Sequence, residues 1–297
     1  MLNYDAFMRA LDKNIQYLVI GSPVSHSRSP GMQNAAFESA GLGRPYARMH
    51  VDVNDIPEFA ELAAKYLKGV NLTVPHKNAI VDYCFEIEKE AQLCGSVNTL
   101  SIRDGRLYGT STDGQGIAYA LFKEFGFTPE NKNILFLGAG GACRATAFHL
   151  AFKGAAKISI ANRTVSKAQE LAENILKHTS CAAVACDIAD NTSLKKILAE
   201  TDLVIQATSC GLKDSDPSPI DTCLITPDCH FDCFDTIYKE TTLLKTVREK
   251  GLRGAGGKQM LIGQGAASFR IWTGIEPDLN AMESGFEENI SEEDTVC

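Results

Sequence analysis

The sequence predicts an α/β protein built from two domains, and three observations carry that prediction. Short apolar, strand-like runs alternate with amphipathic helical stretches along most of the chain. One of these runs enters a glycine turn that opens directly into a helix. The length, 297 residues, suits about two domains.

Taken in order, Ile15–Ile20 reads as a strand, broken by Gly21-Ser22-Pro23. Pro30 opens a helix that runs to about Ala40, with Gly41 as its stop. A strand near Ala47–Val53 precedes a helix whose Phe59, Leu62, Ala63, Tyr66 and Leu67 share one face. Asp55 and Glu58 have the spacing of a capping box at its start. Gly69 ends that helix, and Val70–Val74 forms the next strand until Pro75 stops its pairing ahead of His76 and Lys77. This β-α-β-α-β order predicts parallel strands, with the ligand-binding loops at their C-terminal ends. Asn98–Gly109 reads as a hairpin around Asp104-Gly105. A helix starts after Asp113 and continues through Ile117, Tyr119, Leu121 and Phe122, and strand–helix alternation then resumes from Asn133 to about 255. The tail from Glu283 holds six acids and few apolar residues, as expected of a solvated helix end or a frayed terminus.

Bulk composition narrows the function. Hydrophobic content of 44% and charged content of 22% are those of a soluble globular protein. A net charge of -8 argues against a nucleic-acid partner, which favours basic stripes. No apolar run approaches the ~20 residues that cross a bilayer. The opening MLNYDAFMRALDKN is charged throughout, so the expectation is a cytoplasmic chain with no membrane partner. The ten cysteines are mostly isolated, and Cys229-His230…Cys233 lacks a second ligand pair; free thiols are expected, and no metal site.

Asn133–Leu137 followed by Gly138-Ala139-Gly140-Gly141-Ala142 supplies a strand, a glycine turn and a helix start in the order a dinucleotide requires. Gly138 permits the tight turn and Gly140 the approach of a pyrophosphate, while the helix from Gly141 aims unpaired N–H groups at it. Cys143 replaces the third glycine of the usual pattern. After the next strand, Lys157–Ala161, an NAD enzyme places a carboxylate for the ribose 2′-hydroxyl. This chain has Asn162-Arg163-Thr164 and then Lys167, groups that attract a 2′-phosphate, which predicts NADP as cofactor.

In the first half, Ser27 and Ser29 precede a helix, Asn71 and Thr73 share a strand face, and Lys77, Asn98 and Asp113 stand at strand or helix ends. Each alone reads as a cap or a turn residue. Together the stretches GSPVSHSRSP, GVNLTVPHK, GSVNT, STDGQG, LGAGGACRA, NRT, DLVIQATSCG and QMLIGQGAASFRIWTG resemble the shikimate dehydrogenase family in order and spacing over roughly 15–275.

The resemblance implies a substrate domain formed by 1–113 and 258–297, with a C-terminal helix returning to it, and a Rossmann-type domain over 114–257. It implies an active site between them and reversible NADP-linked reduction of 3-dehydroshikimate to shikimate. By the same resemblance Lys77 and Asp113 form the catalytic pair. Ser27 and Ser29 hold the substrate carboxylate, and Asn71, Thr73, Asn98, Asp113, Tyr238 and Gln264 hold the rest of the substrate. Thr208 and Gly257 lie near the cofactor. The chain departs from the family pattern at Gln33, Ser111, Gln206 and Gln259, and in the shortened stretch after Tyr238. A quinate/shikimate dehydrogenase with broader substrate or NAD use, an aminoshikimate-type relative, and a non-catalytic NADP- and shikimate-binding regulator are the alternatives. Monomer and homodimer both suit this architecture.

Overall fold

The computed structural model describes residues 3–288 and 295–296. They fall into two compact units, Met1–Gly116 with Leu261–Cys297, and Ile117–Met260.

In the first unit, Asn3 caps α1 (Tyr4–Asp12) by accepting from Ala6 N. The apolar run before Gly21 forms β1 (Tyr17–Gly21), buried along its whole length. Pro30, at the N-terminus where its missing N–H is harmless, opens α2 (Ser29–Ser39). β2 (Tyr46–His50) ends three residues short of the predicted strand, because Val53–Asp55 winds into a 3-10 turn. That turn also removes the expected capping box: it leaves Asp55 in a helical backbone conformation, and its side chain makes no capping bond to α3 (Ile56–Tyr66). β3 (Gly69–Leu72) stops before Pro75, and the chain turns into the short α4 (His76–Ala79). Then come β4 (Glu86–Ile87), α5 (Lys89–Cys94) and the hairpin β5 (Thr99–Arg103) and β6 (Arg106–Thr110). Its tip has positive φ at both Asp104 (49°) and Gly105 (70°), the type I′ geometry that two-residue hairpins favour.

α6 (Asp113–Phe125) contains the boundary between the units. The second unit alternates β7 (Asn133–Leu137), α7 (Gly141–Phe152), β8 (Lys157–Asn162), α8 (Val165–His178), β9 (Ala182–Asp187), α9 (Asn191–Leu198), β10 (Leu203–Gln206), β11 (Asp232–Asp235), α10 (Thr242–Glu249) and β12 (Gly254–Ala255). α11 (Lys258–Thr273) carries the chain back into the first unit, where α12 (Leu279–Glu287) packs on α2. The acidic tail departs from the expectation of a frayed end at one point: β13 (Thr295–Val296) adds to the sheet edge beside β2. Residues 289–294 and Cys297 lie outside the described residues.

The first sheet has the order β13-β2-β1-β3-β5-β6-β4. β2, β1 and β3 run parallel, so His50, Gly21 and Leu72 finish along one edge, and β5 lies antiparallel to β3. Its core includes Leu18, Ile20, Phe59, Val70 and Leu100. The second sheet is parallel throughout, in the order β12-β11-β10-β7-β8-β9. The strand order reverses between β7 and β10, and ligands of such sheets bind outside the C-terminal strand ends at that point. Leu135, Leu137, Ala161, Val204 and Leu244 belong to the core of this unit.

Candidate active site

The register of the first sheet assembles a buried polar network. Asn71 on β3 pairs with Thr99 on β5, and Thr99 with Thr110 on β6, so Asn98 and Thr112 sit side by side at the same end. Asn98 Nδ2 donates to Asp113 Oδ1 at 2.8 Å, while Asn98 Oδ1 accepts from Thr112 N at 2.8 Å. The other Asp113 oxygen, Oδ2, pairs with Lys77 Nζ at 2.5 Å. Both side chains are largely buried, with 16% of Lys77 and 7% of Asp113 exposed.

Lys77 is fixed from both sides along the chain. Its carbonyl accepts from Val97 N at 2.9 Å. Its neighbour His76, fully buried, donates from Nε2 to Val51 O at 2.7 Å. Burial lowers the His76 pKa, so the ring is neutral at ordinary pH and serves as an anchor.

Gln264 on α11 reaches the same cluster, its Oε1 accepting from Asn98 Nδ2 at 3.3 Å. One turn on, Ser268 lies 2.8 Å from Thr99 Oγ1 and accepts from Asn71 Nδ2 at 3.0 Å. Asn71 Oδ1 in turn accepts from the Tyr46 hydroxyl at 2.8 Å. Burial holds the Tyr46 pKa well above its usual value, and Ser29 is hydrogen-bonded to its side chain. A continuous chain of polar groups thus runs from Ser29 through Tyr46, Asn71 and Asn98 to Asp113 and Lys77.

The residue sets expected from sequence are placed unevenly. Lys77, Asp113, Asn71, Asn98, Gln264 and Ser29 converge on this network. Ser27 is half-buried and accepts from Ser29 N at 3.3 Å through its hydroxyl. Thr73 is half-buried just past β3, and its methyl group fills the space that a Gly21 side chain would need. Tyr238 belongs to the second unit and is 43% exposed. Tyr46, Thr99, Thr112 and Ser268 were not anticipated. Thr99 and Thr112 adjoin Asn98 and Asp113 in sequence, and Ser268 lies one helical turn beyond Gln264, a spacing that places them on one face. Nothing in the periodicity around Tyr46 distinguishes it from an ordinary core tyrosine.

In the second unit, the glycine turn leaves β7 at the switch point. Gly138 has φ +111°, and a Cβ there would stand 2.9 Å from Ala207 O, so only glycine fits. Gly140 is exposed, and the space on its side-chain side is open, with nothing within 4 Å. It is the N-cap of α7 and supplies no capping side chain, which leaves the first-turn N–H groups of Gly141 and Ala142 available to an anion. Ala139 is buried beneath the turn, and Cys143 packs with no exposure, its thiol pushed well up by burial. This open, donor-lined cradle fits a pyrophosphate.

At the end of β8, Asn162 Nδ2 donates to Thr164 O at 2.9 Å, closing the turn before α8. Arg163, Thr164 and Lys167 are exposed there. The carboxylate paired across from this turn, Asp187, accepts from Ala189 N instead. This donor set suits a 2′-phosphate better than a bare ribose. Thr208 is half-buried, with its N–H donating to Gln206 Oε1. Gly257 is buried, its N–H donating to Ile237 O at 3.1 Å, and a side chain there would strike Thr236 O. Among the described residues no group of three or more His, Cys, Asp or Glu side chains forms a metal site, the nine cysteines are free thiols, and no helix is long and apolar enough to cross a membrane.

Comparison with known proteins matches three family models. Residues 19–100 match the shikimate dehydrogenase substrate binding domain, 121–213 shikimate / quinate 5-dehydrogenase, and 257–284 the shikimate 5'-dehydrogenase C-terminal domain. A shikimate dehydrogenase (NADP(+)) of Methanopyrus kandleri is 37% identical over 278 residues, covering 92% of this chain and 94% of that one. The crystal structure of a Thermus thermophilus shikimate 5-dehydrogenase in complex with NADP(H) and shikimate superposes with a TM-score of 0.81 at 36% identity, over 91% of this chain and 97% of the other. A quinate dehydrogenase from Corynebacterium glutamicum in complex with NAD has the same TM-score, 0.81, at 28% identity, over 92% and 98% of the two chains.

Proposed function

This chain belongs to the shikimate dehydrogenase family, and we propose that it catalyses the reversible NADP-linked reduction of 3-dehydroshikimate to shikimate with Lys77 and Asp113 as its acid–base pair. The observation that carries the proposal is the buried 2.5 Å contact between Lys77 Nζ and Asp113 Oδ2, with the second carboxylate oxygen held by Asn98.

Gly138, Gly140, Gly141 and Ala142 hold the pyrophosphate, Arg163, Thr164 and Lys167 the 2′-phosphate, and Thr208 and Gly257 frame the remainder of the cofactor. NADPH, when bound, supplies the hydride. The chain supplies the proton and the orientation. Reduction of the ring ketone builds negative charge on its oxygen, and Lys77 Nζ gives that oxygen a proton, keeping the electron pair on nitrogen. In the reverse direction the neutral amine takes the proton from the hydroxyl. Asp113 keeps the ammonium aimed and offsets its charge, and a positioned proton donor such as Lys77 contributes about 10²–10⁴-fold to rate. Ser27 and Ser29 take the substrate carboxylate beside the N-terminus of α2. Asn71, Thr73, Asn98, Gln264 and Tyr238 orient the rest of the substrate.

Steady-state assays with shikimate or quinate, each with NADP+ or NAD+, test the assignment. The highest kcat/KM is expected for shikimate with NADP+. A preference for quinate with NAD+ overturns it.

A further inference from the structure

We infer that Asp235 is a positioning residue for the cofactor: buried at the C-terminal end of β11, it clamps together the loops that leave β10 and β11 and so sets the glycine turn at Gly138. The inference rests on the reading that the second unit binds NADP.

Asp235 has no exposure and two hydrogen-bond donors. Its Oδ1 accepts from Ile237 N at 2.9 Å and its Oδ2 from the Thr241 hydroxyl at 2.7 Å, while Gln206, its register partner on β10, lies close enough to favour its charged form. Gln206, equally buried, carries the link across to β10. Its Nε2 donates to Cys210 O at 2.8 Å and its Oε1 accepts from Thr208 N. The Thr208 methyl and the Ala207 carbonyl stand 3.0 and 2.9 Å from where a Gly138 Cβ would lie, so this loop packs directly on the glycine turn. On the other side, Gly211 has no room for a side chain because Thr241 occupies it. Thr208, Gly138 and the loop after Asp235 are therefore one connected body.

An ionised carboxylate is an acceptor only, which matches a donor on each oxygen, and bonds to a charged acceptor are roughly twice as strong as neutral ones. Protonation sets an O–H among those donors and weakens the clamp. Burial pushes the Asp235 pKa up to about 6, so this change falls in an accessible range. The charged groups on the packed elements are engaged elsewhere. Asp232 pairs with Arg253, Arg248 with Glu240, Lys239 with Asp214, and Asp216 accepts from Gly211 N. Lys258 has its own partner, and the Cys233 thiol is buried and neutral.

The test is the Kd of NADP+ measured by direct binding to the full chain, without turnover, for wild type, Asp235→Asn and Gln206→Met between pH 5 and 7.5. The 2′-phosphate titrates near pH ~6 in every case, and the ratio of variant to wild type removes it. Asp235→Asn is expected to weaken binding at least about fivefold at pH 7.5, a ratio that shrinks towards one at pH 5, where wild-type Asp235 is itself protonated. Gln206→Met is expected to weaken binding at pH 7.5, and carries the test if Asp235→Asn does not fold. A ratio of one at pH 7.5, or an unchanging ratio across pH, overturns the inference while leaving the cofactor reading intact. Wild-type protein that binds no NADP+ overturns both.

Discussion

Lys77 and Asp113 reach each other from α4 and from the first residue of α6, and each is held by more than its partner. Asp113 is fixed by Asn98, and Lys77 by the Val97 and Val51 bonds on either side of it. A lysine after Pro75 is, on its own, an ordinary turn residue, and an aspartate at a helix start an ordinary cap; the sequence pattern around them is what singles them out. Their 2.5 Å pairing and the bonds behind it depend on the β3–β5–β6 register, which no local pattern encodes. At the cofactor end, Arg163 is exposed at the turn after β8. Arg163→Asp is expected to raise the KM for NADP+ about 10- to 100-fold, the worth of a charge-assisted bond of about 1.5–3 kcal/mol, and to change the KM for NAD+ far less. Equal effects on the two cofactors would remove Arg163 from 2′-phosphate recognition.

The elements differ in how much local chemistry specifies them. The Asp104-Gly105 hairpin and the β7–α7 glycine turn were legible because each needs backbone conformations that few residues adopt, and those residues are present. The capping box that the Asp-x-x-Glu spacing predicts at Asp55 does not form, because tertiary context winds Val53–Asp55 into a 3-10 turn that this spacing does not report. β13 leaves no signal in the sequence, because two residues of edge strand have no periodicity to read. α11 is secured by a contact equally invisible in sequence: Trp272 Nε1 donates to Leu100 O at 2.9 Å, and its indole lies where a Gly69 Cβ would be. Gly69→Ala is expected to cost about 1–3 kcal/mol by overpacking, read as a lower denaturant midpoint. An unchanged midpoint would mean that α11 and β3 adjust freely to each other.

For the whole molecule, two buried titratable groups pull stability in opposite directions with pH. Asp235 has its folded pKa raised from 3.8 to about 6: the burial cost of its charge outweighs the stronger hydrogen bonds of the ionised form, so its net contribution to stability is full below the lower value and is lost as pH rises through the higher. Neutral His76 has its folded pKa below 6.5, so its contribution is present above that value and is lost as pH falls through the folded one. Removing the carboxylate with Asp235→Asn therefore changes the profile in a defined direction. Relative to wild type, the variant is expected to lose stability as pH is lowered from 7 towards 4, by up to about 3 kcal/mol for a shift of about two pKa units. A difference independent of pH would show that Asp235 titrates alike in folded and unfolded chains. Two α/β units follow from the alternation of strands and helices, whereas the strand order of the second and the polar network beneath Lys77 had to be seen in three dimensions. The most direct test of the central claim is turnover by Lys77→Ala set beside its affinity for NADP+. A loss of about 10²–10⁴-fold in shikimate-dependent NADPH formation is expected, with NADP+ binding within about twofold of wild type. Near-normal turnover in that variant would contradict the assignment of Lys77 to the acid–base pair.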